Sequence, residues 1–106
     1  MKGGRIVGDI FDGSYNRVGK IEADGTVLDG NYNRIGKVES DGTVYDQAYN
    51  RVGTVDSNGA VYDSSYSRIG QVDADGTVSD GSYNRIGKSE SPHIQFGGAA
   101  LLLLIR

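Results

Sequence analysis

The chain repeats one sequence unit every 17 residues, and this period limits its possible folds more than any other feature. A tyrosine marks each unit, and aspartate, arginine, glycine and valine or isoleucine return at fixed distances from it. The five tyrosines are Tyr15, Tyr32, Tyr49, Tyr66 and Tyr83. Because no insertion or deletion interrupts the period, each unit is expected to complete its core with residues of its neighbours.

The 106 residues are expected to form a single repeat domain, residues 1–106. It divides into a partial unit at 4–14, full repeats at 15–31, 32–48, 49–65 and 66–82, a partial unit at 83–91 and an apolar C-terminal segment at 92–106. Within a unit, the two glycines and several Asp or Asn residues disfavour helices and favour turns. The pattern therefore predicts an all-β fold.

Each unit contains two β-type segments, which in the second repeat are Arg34–Glu39 and Thr43–Asp46. The loop Ser40–Gly42 between them has the Asp-Gly signal of a three-residue hairpin loop with glycine in the left-handed position. The next link, from Asp46 to Arg51, is predicted to be a four-residue turn with Asn50 in the left-handed position. Each unit is thus expected to be a hairpin joined to the next hairpin by a short turn.

These loop lengths predict a strand register in which Val38 lies opposite Val44 and Leu28 lies opposite Ile35. The same register pairs each aspartate with the arginine five residues later: Asp12–Arg17, Asp29–Arg34, Asp46–Arg51, Asp63–Arg68 and Asp80–Arg85. The result is a continuous antiparallel meander of about ten strands, about 45 Å wide at about 4.8 Å per strand. A β-solenoid with 17-residue coils is the alternative.

Both faces of such a sheet would carry apolar columns. One face collects Gly19, Ile21, Val27, Gly36, Val38, Val44, Gly53, Val55 and Val61, and the other collects Val18, Lys20, Leu28, Ile35, Lys37, Tyr45, Val52, Tyr62 and Ile69. Ala99–Ile105 is apolar throughout and is predicted to be buried. A strand is favoured, because seven residues form only a marginal helix, and a short helix is the alternative. Since one tail cannot cover two faces, a homodimer is expected, with a possible interface at Leu101, Leu102, Leu103, Leu104 and Ile105.

The run NRIGKVESDGTVYD and the ending GGAALLLLIR resemble a group of small bacterial tandem-repeat proteins. Their units are similar to I-G-x-V-D-x-D-G-x-I-x-D, and the resemblance implies no activity because their function is uncharacterised. A looser similarity is to MORN-type hairpin repeats. The chain lacks the Trp and the Glu-Gly spacing of those repeats, so no MORN binding residue can be placed on it.

Composition argues against most enzymatic chemistry. The chain has no Cys and a single His, which excludes disulfides and thiolate chemistry and makes a catalytic triad improbable at His93. The net charge of −3 argues against nucleic acid as a partner. Asp73–Gly76 is similar to part of a calcium loop but lacks its other ligands, so it is interpreted as a hairpin turn. No catalytic residue, cofactor or metal is therefore predicted.

The tyrosines are expected to lie along one edge of the sheet, together with Arg17, Arg34, Arg51, Arg68 and Arg85. This edge could bind an extended polymer such as a glycan or a cell-wall polymer. The simpler interpretation is structural: each ring would fold back over its turn and cover a neighbouring Val or Ile. Replacing Tyr32, Tyr49 and Tyr66 by Ala would then unfold the protein, because an aromatic side chain can bury about 150–250 Å².

The sequence contains no signal peptide, and its longest apolar run has seven residues, whereas a membrane helix needs about 20. A cytoplasmic location is therefore expected. The favoured function is a structural or protein-interaction module that associates with itself. The alternative is glycan or cell-wall binding through the tyrosine and arginine edge, and enzymatic activity is not expected.

Overall fold

The computed structural model describes residues 8–90 and 94–105. Ten strands are followed by a helical segment: β1 Gly8–Asp12, β2 Arg17–Ile21, β3 Thr26–Asp29, β4 Arg34–Val38, β5 Thr43–Asp46, β6 Arg51–Val55, β7 Ala60–Asp63, β8 Arg68–Val72, β9 Thr77–Asp80, β10 Arg85–Ser89, then α-helix α1 Ile94–Ala100 and a π-helical turn Leu101–Ile105. Every strand pairs with its neighbours in antiparallel fashion, and β1 also pairs with β10. The sheet is therefore closed into a barrel.

The predicted antiparallel meander of hairpins is confirmed, and the described strands do not form the parallel ladders of a β-solenoid. Val38 lies opposite Val44, as the loop length indicated. The loop between them is closed by hydrogen bonds from Glu39 N to Thr43 O (2.8 Å) and from Gly42 N to Glu39 O (2.9 Å). Gly42 has a φ of +93°, the left-handed conformation that glycine adopts without steric cost.

The register predicted across the other turn is correct at Val27, which lies opposite Gly36, and wrong by one residue nearer the turn. Leu28 lies opposite Arg34, not opposite Ile35, because the strand pair contains a β-bulge. The predicted pairing of each aspartate with the arginine five residues later is therefore also wrong. Nor is Asn the left-handed residue of this turn: the positive φ belongs to the preceding tyrosine, with 69° at Tyr32.

The bulge recurs around the barrel and has two consequences for the packing. It places a second apolar ring against the core, formed by Val18, Ile35, Val52, Ile69 and Ile86, which strict alternation had assigned to the outer face. Bulges also bend a strand and increase its twist. With one bulge at each of the five turns, the sheet curves onto itself and does not form the open 45 Å meander expected from the sequence.

The other apolar columns face the interior of the same barrel. The buried core consists of Ile10, Ile21, Val27, Val38, Val44, Val55, Val61, Val72, Val78, Ala99, Ala100, Leu101 and Leu102. The argument that one apolar face must be exposed is therefore wrong. Because that argument was the basis for the homodimer, the homodimer stays a prediction without this support.

The C-terminal segment is helical, so the predicted strand is wrong. In a closed barrel each wall strand already has two partners, which leaves no edge for an inserted strand. A segment inside the barrel must therefore satisfy its backbone hydrogen bonds by itself, as a helix does. The helix fits because its inner residues are small: a Cβ added to Gly98 would lie 2.8 Å from Val72 Cγ1. Ser89, where the other units have Ile or Val, similarly makes room for Gly97.

The last turn of this segment matches the repeat of the wall residue by residue. A Cβ added to Gly53 would lie 2.8 Å from Leu103 Cδ1, so the missing side chain provides the space for the leucine. The five contacts are Leu101 with Gly87, Leu102 with Gly70, Leu103 with Gly53, Leu104 with Gly36 and Ile105 with Gly19. For successive side chains to reach successive units of a five-unit barrel, the helix must turn by about 72° per residue. An α-helix turns by about 100° per residue, and the wider π-helix comes closer to the required angle.

Candidate functional site

The candidate site lies at the end of the barrel where the tyrosine-containing turns meet, here called the tyrosine end. In the turn before β6, Asp46 N donates to Asn50 O (2.9 Å) and Tyr49 N donates to Asp46 O (3.0 Å). The Asp46 carboxylate accepts hydrogen bonds from the backbone N–H groups of Ala48 and Asn50, both at 2.9 Å. These bonds, above all the one from Asn50, lower the pKa of Asp46. The aspartates are thus engaged in holding the turns.

The structure places all five predicted tyrosines in these turns, in left-handed conformations with φ between 64° and 69°. Their side chains are 61–71 % exposed. They are the only large hydrophobic residues exposed within residues 8–90 and 94–105, which counts against the interpretation that each ring covers a neighbouring Val or Ile.

The predicted arginines join the tyrosines to form one continuous girdle around the tyrosine end. Each guanidinium carbon lies 4.6–5.1 Å from the centroid of the tyrosine ring in the following unit. The pairs are Arg17–Tyr32, Arg34–Tyr49, Arg51–Tyr66, Arg68–Tyr83 and Arg85–Tyr15. The last pair joins the final unit to the first, so the girdle closes with the barrel.

The Arg34–Tyr49 pair of the girdle has additional contacts. Arg34 Nη2 donates a hydrogen bond of 2.9 Å to the Tyr49 hydroxyl oxygen. The Tyr49 ring also lies 6.5 Å from the ring of Tyr45, measured between centroids, with an interplanar angle of 50°. Tyr45 is on the outer wall and was not among the predicted site residues. A comparison of equivalent positions in the five units would have found it, because only two units have tyrosine there.

A separate depression lies inside the mouth of the barrel at the tyrosine end. It has a volume of about 700 Å³, and its floor is formed by Leu103 and Leu104 together with Ile35 and Val52. The turn residues Asp46, Gln47 and Ala48 complete its lining. The predicted interface residues Leu103 and Leu104 are therefore part of this floor, and their role in a contact between chains stays a prediction.

Within residues 8–90 and 94–105, no group of three or more His, Cys, Asp or Glu side chains could hold a metal ion. Asp73–Gly76 is a hairpin turn, as predicted: Gly76 has a φ of +95°, and the Asp75 carboxylate accepts a hydrogen bond of 2.9 Å from Thr77 N. That bond lowers the pKa of Asp75. His93 is outside the described residues.

In the described part of the chain, no helix has the length and apolar character required to cross a membrane. The chain has no significant match among curated proteins or among solved structures. The model of the family described as 5-fold beta-flower protein matches residues 1–101, and five hairpin units closed around one axis agree with that description. The family match also agrees with the resemblance to small tandem-repeat proteins. The chain therefore belongs to the 5-fold beta-flower protein family.

Proposed function

We propose that this protein is a non-catalytic module that binds a glycan through its girdle of tyrosines and arginines. The observation that carries the proposal is the conformation of the tyrosines. All five are exposed, and all five have the positive φ that side chains other than Gly, Asn and Asp rarely adopt. Local stability does not account for this choice of residue.

The energies of the turn support this argument. A left-handed residue with a Cβ costs roughly 1–2 kcal/mol. A cation–π contact returns about 0.5–1 kcal/mol at an exposed site and about 2 kcal/mol where it is desolvated. Arg17, Arg34, Arg51 and Arg68 are half-buried, so the contact at most offsets the strain, and tyrosines that are 61–71 % exposed gain little more from burial. Glycine or asparagine would form the same turn at a lower cost. A strained, exposed aromatic residue that occurs in every unit is therefore better explained by binding than by folding.

The chemistry of the girdle suits a sugar polymer. A tyrosine ring offers an apolar face for stacking and a hydroxyl group for hydrogen bonds, and the neighbouring guanidinium provides several donors. Five equivalent positions can engage successive parts of a repeating ligand, which raises the overall affinity without requiring strong individual contacts. Self-association, a bacterial origin and a cytoplasmic location, all expected from the sequence, stay predictions.

The test is co-sedimentation with a panel of insoluble polysaccharides, comparing the wild-type protein with a variant in which Tyr32, Tyr49 and Tyr66 are replaced by Ala. We expect the triple variant to keep its fold and to lose at least about tenfold in affinity. The matched control replaces the same residues by Phe, which keeps the aromatic faces and should retain most of the binding.

Three outcomes would contradict the proposal. The wild-type protein could bind none of the polysaccharides, or the triple Ala variant could bind them as tightly as the wild type. The girdle could also retain a protein partner in place of a glycan, with the same three tyrosines required, which would favour a protein-interaction module. Circular dichroism and thermal unfolding establish whether each variant is folded.

A further inference from the structure

The five units are not equivalent on the outer wall of the barrel, below the girdle. One outward position of each hairpin holds a different residue from unit to unit: Phe11, Leu28, Tyr45, Tyr62 and Ser79. Tyrosine occurs there only on β5 and β7, the first and last strands of a three-strand sector. Both residues are half-buried, and each follows a fully buried valine of the core. Their side chains therefore belong to the outer surface.

The charge of the wall also changes in this sector. The outward position that pairs across the hairpin holds Lys20, Lys37, Thr54, Gln71 and Lys88. Thr54 is on β6, between the two tyrosine-bearing strands, and lies opposite both Tyr62 and Thr43. The two differences therefore occur in the same sector: β5 and β7 carry outward tyrosines, and β6 between them carries threonine where three other units carry lysine.

The girdle continues this surface toward the tyrosine end. Tyr49 lies 6.5 Å from Tyr45 between ring centroids, and Tyr66 is stacked with Arg51 at 4.6 Å. Tyr45 and Tyr62 are on strands two positions apart, hence roughly 10 Å from each other. Four tyrosines and two threonines therefore occupy one sector. Arg51 in it is stacked on Tyr66 and donates to Ser64 O at 3.4 Å, and Arg34 of the preceding unit is stacked on Tyr49.

We propose that the glycan lies across this sector, here called the β5–β7 wall, and that it is an uncharged polysaccharide. The proposal rests on the proposed function and adds the place and the class of the ligand. The apolar faces of two alternate sugars rest on Tyr45 and Tyr62, and the sugar between them lies over Thr54. Tyr49 and Tyr66 contact the chain from the tyrosine end.

Two features of this wall favour an uncharged ligand. A lysine at the centre of the wall would have to lose water when a sugar covers it, which is costly without an anionic partner. Threonine instead provides a small hydroxyl that both donates and accepts hydrogen bonds, as sugar hydroxyls do. Lys37 lies opposite Tyr45 on β4, outside the line from Tyr45 over Thr54 to Tyr62, and an acidic polymer would favour the side of the barrel that carries Lys20, Lys37 and Lys88.

The experiment introduces into this wall the residues that other units have. Thr54→Lys adds the missing charge, and the matched control Ser79→Lys adds the same charge two strands beyond β7. Tyr45→Leu and Tyr62→Ser, made together, give the wall the residues of its neighbours at positions 28 and 79. Binding is measured by co-sedimentation with a neutral insoluble glucan or chitin, and with a polyuronate as the acidic comparison.

We expect Thr54→Lys and the tyrosine double variant each to weaken binding to the neutral polymer by at least about tenfold, and Ser79→Lys to change it by less than about threefold. Tighter binding of wild-type protein to the polyuronate would overturn the uncharged class. Wild-type affinity in both wall variants, with loss only in the triple Ala variant of the girdle, would overturn the placement while leaving glycan binding intact. Absence of binding by the wild-type protein would instead overturn the proposed function.

Discussion

The two ends of the barrel both depend on left-handed residues, but they use them differently. At the glycine end, the position is held by Gly25, Gly42, Gly59 and Gly76, which adopt it without strain. Helix α1 lies against these turns: Gln95 Nε2 donates to Ser57 O at 3.1 Å, and Phe96 packs beside the turns at Gly25 and Gly42. At the tyrosine end, strained and exposed aromatic residues hold the position.

This difference agrees with the proposal that the tyrosine end contacts another molecule, whereas the glycine end serves stability. The glycine end has helix α1 against its turns and uses the residue that the backbone prefers. The tyrosine end remains open, with a depression of about 700 Å³ in its mouth and with exposed rings around its rim. Substitutions at each end of the barrel, with stability as the measurement, test this comparison directly.

The largest effect is expected for Gly42→Ala at the glycine end. The added Cβ would meet the carbonyl oxygen of Val55 at a backbone φ of +93°, so both strain and overlap oppose it. We expect a loss of at least about 3 kcal/mol in the free energy of unfolding, measured by denaturant titration. Gly81→Ala is the control, because its Cβ would have only ordinary contacts beyond 3.5 Å and should cost less than about 1 kcal/mol. Equal losses would contradict the comparison.

Leucines of the helical segment should contribute less to stability the closer they lie to the tyrosine end. Leu102 is 7 % exposed, whereas Leu104 is half-buried and faces the open mouth. Leu102→Ala is expected to lower the free energy of unfolding by about 2–5 kcal/mol, and Leu104→Ala by clearly less. If thermal or denaturant unfolding showed the larger loss for Leu104→Ala, the mouth would have to be closed in solution.

A much smaller effect is expected for Tyr83→Asn at the tyrosine end. The substitution removes a ring that is 71 % exposed and its contact with Arg68, and it places a residue that tolerates positive φ in the turn. The free energy of unfolding should change by less than about 1 kcal/mol. A loss of more than about 2 kcal/mol would show that the girdle is structural, and the explanation by binding would then fail.

Acid should affect both ends in the same direction. Backbone N–H groups lower the pKa of Asp29 and Asp46 at the tyrosine end, and of Asp24 and Asp41 at the glycine end. Because these values are lower in the folded than in the unfolded chain, their stabilisation is complete above about pH 4 and is lost as the pH falls further. Melting temperatures should therefore decline below about pH 4. Asp46→Asn should show a shallower decline, and an unchanged slope would count against this origin.

The hairpins could be predicted because their signals are local. The Asp-Gly loop at positions 41 and 42 sets the pairing of Val38 with Val44, and the structure has that pair. The bulge at Ile35 could not be predicted in this way, because a strict alternation of inward and outward residues has no place for an extra residue. Closure depends on the curvature that five such bulges add together, which no single unit reveals.

The helical tail and the site show the same limit. Seven apolar residues are too few to form a stable helix alone, so the conformation of residues 99–105 depends on the cavity around them. For the site, the sequence placed the five tyrosines of the turns and their five arginines at one edge, and the structure brings them together there. It missed that Arg34 stacks on Tyr49 of the next unit, because that contact follows from the bulge and the left-handed turn.

The match between Leu101–Ile105 and the five glycines of the wall has a consequence for how such a gene can change. Open repeat arrays lengthen or shorten by whole units, because each unit contacts only its neighbours. Here one additional unit would leave a position on the wall without a side chain to fill it, and the loss of one unit would leave a leucine without a glycine beside it. The number of repeats and the number of apolar residues in the tail must therefore change together. A duplicated unit fits this barrel only with a matching additional residue in the C-terminal segment.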